Sequence, residues 1–220
     1  MTLAGAQRPE TGAALVQAER PGQRFVAAVR LVRLHLASRR GPGALVAMVA
    51  CAAVFQAALR WHGDADTQQI PLIIEAATAS IVAISAHSPF GESERATGRW
   101  LPYLRLGTAV GLTGAAFAVL AAGAVAASLL GGTPELLRNV AGIAGVGMLS
   151  AAVLGGSLAW IGPMAYLAIA EEGLSAGWHT PWTWPARPPD DLGASICAAL
   201  VLGAGFVVIA IRGARDTGRG

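Results

Sequence analysis

The sequence contains no lysine, because all 16 of its basic residues are arginines. This absence excludes the mechanisms that depend on a lysine amine: nucleotide binding by a phosphate loop, Schiff-base formation and general-base catalysis by lysine. If the protein takes part in ATP-driven work, a different chain must therefore bind and hydrolyse the nucleotide.

Charged residues are also scarce, at 13% of the 220 residues, whereas hydrophobic residues make up 54%. A soluble domain carries roughly a quarter charged residues. The length fits one domain or one compact membrane bundle, and long uncharged stretches favour the bundle. The arginines do not alternate with aromatic residues on a polar face, so no nucleic-acid partner is expected.

Residues suited to catalysis or metal binding are few. The two cysteines, Cys51 and Cys197, lie in apolar runs without a paired spacing, and we interpret them as small buried hydrophobic residues. The four histidines are far apart in the sequence, and no serine stands in a nucleophile motif. The sequence therefore predicts no catalytic residues, no metal site and no cofactor, so that the chain is not itself an enzyme.

The apolar segments predict an all-α, polytopic membrane bundle. A helix needs about 20 mostly apolar residues to cross a bilayer. The region 134–170 is too long for one crossing, and we divide it at Gly155-Gly156-Ser157, with Thr133 as N-cap of the fourth helix and Pro163 as a kink in the fifth. The six predicted spans are 42–59, 70–87, 106–130, the two halves of 134–170, and 192–211.

The distribution of arginines predicts the orientation. Six spans place thirteen of the 16 arginines on one side, in the N-terminal segment, the loop between spans two and three, and the tail. Only Arg60, Arg138 and Arg187 remain for the opposite side. This is the positive-inside pattern, with both termini cytoplasmic. Together with the arginine-only, Ala/Gly-rich composition, it indicates a multi-pass protein of a bacterial cell membrane.

Four segments follow from this pattern. Residues 1–21 read as a flexible tail, 22–40 as an amphipathic interfacial helix, 41–214 as the six-span domain and 215–220 as a cytoplasmic tail. The amphipathic helix is predicted from four apolar residues that share one helical face (Phe25, Val29, Val32 and Leu36). The alternative is a charged juxtamembrane segment that only sets the orientation.

Glu75 is the one ionisable residue well inside an apolar run, in the second span. An intramembrane carboxylate marks a substrate or proton path by default, because its ionised form is costly in hydrocarbon. It lies only about 7–8 Å from the outer start of its helix, so the alternative is a carboxylate that reaches water. Glu75 is therefore a candidate for the substrate path.

The loop between spans two and three is the most informative polar segment. Ser88-Pro89 predicts the start of a short helix, and Glu92, Glu94 and Arg95 follow within it. Such a helix suits docking of a soluble partner; a solvated turn is the alternative.

In the order of these parts, residues from about 22 to 214 resemble an ABC transporter permease of the type-2 exporter class. The resemblance implies a separate ATP-binding cassette ATPase subunit that docks on the loop at Glu92, Glu94 and Arg95. It also implies a homodimer or a second permease subunit, in contact with membrane lipids. Walls rich in Ala, Val, Leu and Gly fit an amphiphilic or hydrophobic small molecule, a lipid or a peptide as the exported substrate.

The segment between spans five and six departs from that family. Members often carry two re-entrant helices there, whereas the segment 173–191 of this chain is short and rich in Trp and Pro. We expect this segment to sit on or dip into the outer leaflet, with Trp182 or Trp184 in contact with lipid.

Two other functions remain open at this point. One is a secondary transporter or channel with inverted three-span repeats, in which Pro163 would break a helix. The other is a non-transporting membrane scaffold or regulator. Small residues in three spans also predict close helix packing in a tight bundle or dimer. They are Gly107, Gly111, Gly114, Gly142, Gly145, Gly147, Gly203 and Gly205.

Overall fold

The structure is a computed structural model that describes residues 41–61, 69–86, 101–126, 132–177 and 180–212. These ranges contain helices and turns and no β-strand, which confirms the all-α prediction for the described part of the chain. The segments predicted as an amphipathic helix at 22–40, as tails at 1–21 and 215–220, and as the docking loop with Glu92, Glu94 and Arg95 lie outside the described residues.

Six α-helices fall on the six predicted spans. They are α1 (Gly41–Trp61), α2 (Gln69–Ser85), α3 (Leu101–Ala126), α4 (Thr133–Leu154), α5 (Ile161–Ala176) and α6 (Leu192–Arg212). By length and composition, α3, α4 and α6 can each cross a membrane. The apolar helices at Pro42–Ala58 and Ile70–Ser85 are shorter.

Helix α4 is the centre of the bundle. It packs most extensively against α6, then against α2, and also contacts α3 and α5. In the most apolar stretch of 18 residues, 67% of the residues of α4 are buried, whereas only 22% are buried in the corresponding stretch of α6. The main core joins α2, α4, α5 and α6, and smaller clusters form where α1 packs on α2 and α3. Cys51 and Cys197, predicted to be buried, are only partly buried, and both are free thiols.

Glycines allow α4 to approach its neighbours closely. A Cβ atom at Gly145 would lie 2.6 Å from backbone atoms of Val201 and Leu202 in α6. At Gly147 a Cβ atom would lie 2.8 Å from the side chain of Ala83 in α2. Without a hydrophobic force between helices in lipid, such close backbone packing is a main source of association. The close-packing prediction is therefore confirmed for α4.

The described residues show no such close packing at the three glycines predicted for the third span, Gly107, Gly111 and Gly114, or at Gly203. A Cβ atom at Gly107, Gly111, Gly114 or Gly203 would meet nothing within 4 Å among the described residues. These positions lie on exposed faces of their helices. Small residues at helical spacing do not distinguish a packed face from an open one, because the spacing is the same for both.

The turn between α4 and α5 confirms the division of the long apolar region. Helix α4 ends at Leu154, and Gly155 takes φ 97° and ψ 161°, a conformation that favours glycine. A 3₁₀ turn at Gly156–Leu158 leads into α5. The predicted kink at Pro163 is wrong, because α5 begins at Ile161 and a first-turn proline lacks only an N–H that has no helical acceptor.

The N-termini of α4 and α6 are capped differently. The N-cap of α4 is Gly132, not Thr133 as predicted, and Pro134 and Glu135 stand in the first turn. At α6, the Asp191 carboxylate accepts the Ala194 amide N–H at 3.0 Å, as an N-cap does. That amide, together with the Arg187 guanidinium, holds the pKa of Asp191 below its ordinary value.

Candidate functional site

Glu75 faces the interior of the bundle. Its side chain is 4% exposed, so among the described residues it does not reach water at the rim, as the alternative interpretation required. The periodicity of α2 explains this placement, because neighbours of Glu75 on the same face belong to the core that packs against α4. They are Leu72, Ala76, Ala79 and Ala83.

Asn139 on α4 is the side-chain hydrogen-bond partner of Glu75. Asn139 is 5% exposed, so the pair is enclosed between α2 and α4. One hydrogen bond does not satisfy either group, since Oε2 of Glu75 and Oδ1 of Asn139 have no partner among the described residues. Buried acceptors without partners are uncommon in proteins, and they mark a place where a further ligand fits.

Arg138, one residue before Asn139, is buried as well, at 6% exposure. Its guanidinium donates hydrogen bonds to three backbone carbonyl oxygens: those of Pro188 at 2.6 Å, Trp184 at 2.7 Å and Arg187 at 2.9 Å. The sequence analysis counted Arg138 only as a charge on the outer side and did not foresee its burial. Carbonyl groups of an irregular segment take the place of water around the cation.

The segment that Arg138 holds is the Trp- and Pro-rich connection before α6, with a 3₁₀ turn at Trp184–Ala186. The Trp184 indole fills a notch at Gly142, where a methyl group would overlap its ring. It also stacks on Tyr166 of α5, with ring centroids 4.5 Å apart and an interplanar angle of 19°. The Tyr166 hydroxyl donates to the Trp182 carbonyl oxygen at 2.9 Å.

The sequence analysis expected Trp182 or Trp184 to contact lipid, and this packing removes Trp184 from that pair. Trp184 is 2% exposed and lies inside the protein, between α4 and α5, because the glycine notch and the Arg138 hydrogen bonds draw the segment inward. Trp182 is 43% exposed and remains available to a membrane interface. We call residues 180–191 the plug, since they cover α4, α5 and α6 at the end where Glu75 lies.

The positions of Glu75, Arg138 and Asn139 along their helices place this polar cluster at one end of the bundle. Glu75 lies near the start of α2, and Arg138 and Asn139 near the start of α4. The plug connects the end of α5 to the start of α6 and contacts the same region of α4. Successive helices α4, α5 and α6 therefore run in alternating directions, and the polar cluster occupies one end of the bundle.

In the polar cluster of Glu75, Arg138 and Asn139, the Arg138 guanidinium lies among carboxylates. Glu135, Asp191 and Glu75 are the acidic groups that act on Arg138. The described residues contain no group of three or more potential metal ligands of the His, Cys, Asp or Glu type. The sequence analysis found Glu75 but missed Arg138 and Asn139; the available signal was three polar residues within the five positions 135–139 of a mostly apolar helix.

Neither a family model, nor a curated protein, nor a solved structure matches this chain.

Proposed function

We propose that the chain is the membrane-spanning permease subunit of an ATP-driven exporter that moves an amphiphilic or hydrophobic molecule out of the cell. The observation that supports transport is the buried cluster of Glu75, Arg138 and Asn139 on the central helices. Ionisable side chains inside a membrane bundle are costly, and they face the interior where a substrate or ion path passes. A scaffold has no need of them.

The order of the helices supports the exporter class. Two helices, three further helices, a short Trp- and Pro-rich segment and a last helix follow one another in the described residues, and the sequence between the second and third helices is polar. We propose that α1, α2 and α5 cross the bilayer with the three longer helices, as six spans with both termini in the cytoplasm of a bacterial cell. The plug then lies on the outer side.

Labelling of single cysteines tests this topology. In a chain whose Cys51 and Cys197 are replaced, a cysteine at Asp190, which is exposed in the plug, is expected to react with an impermeant thiol reagent on intact cells. A cysteine at Thr97 is expected to react only after the cells are opened. Reaction at Thr97 with protection at Asp190 would invert the proposed orientation.

We propose that Glu92, Glu94 and Arg95 form the contact with the ATPase subunit. Acidic side chains on a short cytoplasmic helix meet arginine or backbone donors on a partner, and losing one partner of such a charge pair in a buried contact costs about 2–5 kcal/mol. The absence of a lysine for a phosphate loop supports a nucleotide site on that other chain.

Reversal of two charges tests the contact and, with it, the exporter proposal. Glu92→Arg combined with Glu94→Arg is expected to lower recovery of the ATPase with the tagged chain more than tenfold, because about 1.4 kcal/mol already corresponds to a factor of ten. Membrane insertion should be unchanged. Recovery of the ATPase is measured by quantitative mass spectrometry after affinity purification.

The matched control reverses Glu171 and Glu172, the acidic pair near the end of α5, which the proposed topology places on the outer side. This variant carries the same change in net charge and is expected to keep the ATPase. Full recovery of an active ATPase by the Glu92/Glu94 variant would show that the loop is a solvated turn.

A further inference from the structure

The unsatisfied atoms of Glu75 and Asn139 belong to two groups that already share one hydrogen bond. A carboxylate oxygen only accepts, so the Asn139 amide donates that bond through Nδ2. Oε2 of Glu75 and Oδ1 of Asn139 are then the two atoms left over, and both are acceptors. Two acceptors cannot bond to each other unless a donor hydrogen stands between them.

A single proton on Oε2 would supply the donor that both atoms lack. The carboxylic acid would then donate through Oε2–H to Oδ1 of Asn139, while its other oxygen accepts from Nδ2. An acid and a primary amide joined in this way form a closed pair of hydrogen bonds with no unmet acceptor. The same proton removes the charge that is costly to bury at 4% exposure.

Arg138 does not supply that missing donor. Its two terminal nitrogens are engaged with the carbonyl oxygens of the plug, and its Nε has no hydrogen-bond partner among the described residues. Glu135, the other charged group of α4 that acts on Glu75, is a carboxylate and opposes a second negative charge nearby.

We propose that Glu75 and Asn139 form a proton-binding site at the outer end of the bundle. The bound proton comes from water and forms one O–H bond at Oε2, with no transfer of electrons. Its release leaves a negative charge beside Arg138, so occupancy of the site sets the net charge of the cluster. The site stands on the contacts between α2 and α4 and does not require the ATPase partner.

Infrared spectroscopy of the full-length chain in lipid nanodiscs tests for the proton. At neutral pH, the wild-type spectrum minus that of Glu75→Gln is expected to contain the carbonyl stretch of a protonated carboxylic acid, and this band should shift in D₂O. Glu172→Gln removes an exposed carboxylate on α5 and serves as the control, with ionised-carboxylate bands in its difference spectrum. Ionised-carboxylate bands for Glu75 as well would overturn the proposal.

The stability of Glu75→Gln gives an independent readout. Glutamine presents one amide N–H₂ and one carbonyl, so it reproduces both hydrogen bonds of the protonated acid without a titrating group. The unfolding temperature of Glu75→Gln is expected to equal that of the wild type at acidic pH. At alkaline pH it should exceed the wild type by on the order of 2–4 °C, because only the wild type loses the bond.

A bound metal cation would give the opposite pattern. If the two acceptors held Na⁺ or K⁺, the wild type would gain stability as that salt is added, and Glu75→Gln would be less stable than the wild type and insensitive to it. Choline chloride at equal ionic strength separates this from general screening. A cation-specific gain that Glu75→Gln abolishes contradicts the proton site.

Discussion

Replacement of Arg138 by methionine is expected to lower the free energy of unfolding by about 3–5 kcal/mol, because three carbonyl oxygens lose a charged donor and each buried acceptor left without a partner costs about 1–3 kcal/mol. Methionine keeps the apolar length of the side chain but leaves the carbonyl oxygens of Trp184, Arg187 and Pro188 without a donor. The plug should detach from α4, and Trp184 should become accessible to an aqueous quencher. Titration with SDS in mixed micelles measures the stability.

Arg187→Met is the matched control for this prediction. Arg187 is a second arginine of this region, and it pairs with the Asp191 carboxylate. Its side chain is 25% exposed, and an ion pair open to solvent is worth about 0.2–1 kcal/mol. The control should therefore unfold close to the wild type, with Trp184 still protected. Equal losses for the two variants would mean that Arg138 does not anchor the plug.

Gly145→Ala is the second substitution with a large expected effect. The added methyl group would lie 2.6 Å from backbone atoms of α6, and no side-chain rotation relieves a clash with backbone. Helices α4 and α6, the most extensively packed pair, must then separate. Overpacking of this kind costs about 1–3 kcal/mol, which corresponds to a fall in unfolding temperature of roughly 2–4 °C for each kcal/mol in a chain of this size.

Gly203→Ala provides the comparison on the same helix pair. A Cβ atom at Gly203 meets nothing within 4 Å among the described residues, and alanine is favoured over glycine within a helix by about 0.5–1 kcal/mol. This variant should be as stable as the wild type or more so. If Gly145→Ala and Gly203→Ala have the same unfolding temperature, α4 and α6 do not pack as closely as described.

The helices themselves could be predicted from the sequence, because apolar length and flanking polar residues are local signals. The division at Gly155 and the start of the last helix at residue 192 also rest on local signals, and both are confirmed. The start of α3 was placed at Leu106 instead of Leu101, because Arg105 interrupts the apolar run although the helix continues through it.

The polar cluster could be predicted only in part, because its contacts join residues far apart in the chain. Glu75 stood out within an apolar run, but its partner Asn139 lies on another helix. Arg138 was counted only as a charge on the outer side, since nothing local shows that carbonyl groups some 46–50 residues later will surround it. The sequence did not distinguish Trp184 from Trp182 as the residue in contact with lipid, because the notch at Gly142 exists only once α4 and the plug are packed.

The most direct test of the proposed exporter is the composition of the complex that the tagged wild-type chain forms in its native membrane. The proposal predicts that gentle purification recovers, in stoichiometric amount, a second chain that carries a lysine-containing phosphate loop and hydrolyses ATP. Recovery of the chain alone, or with partners that bind no nucleotide, would contradict it.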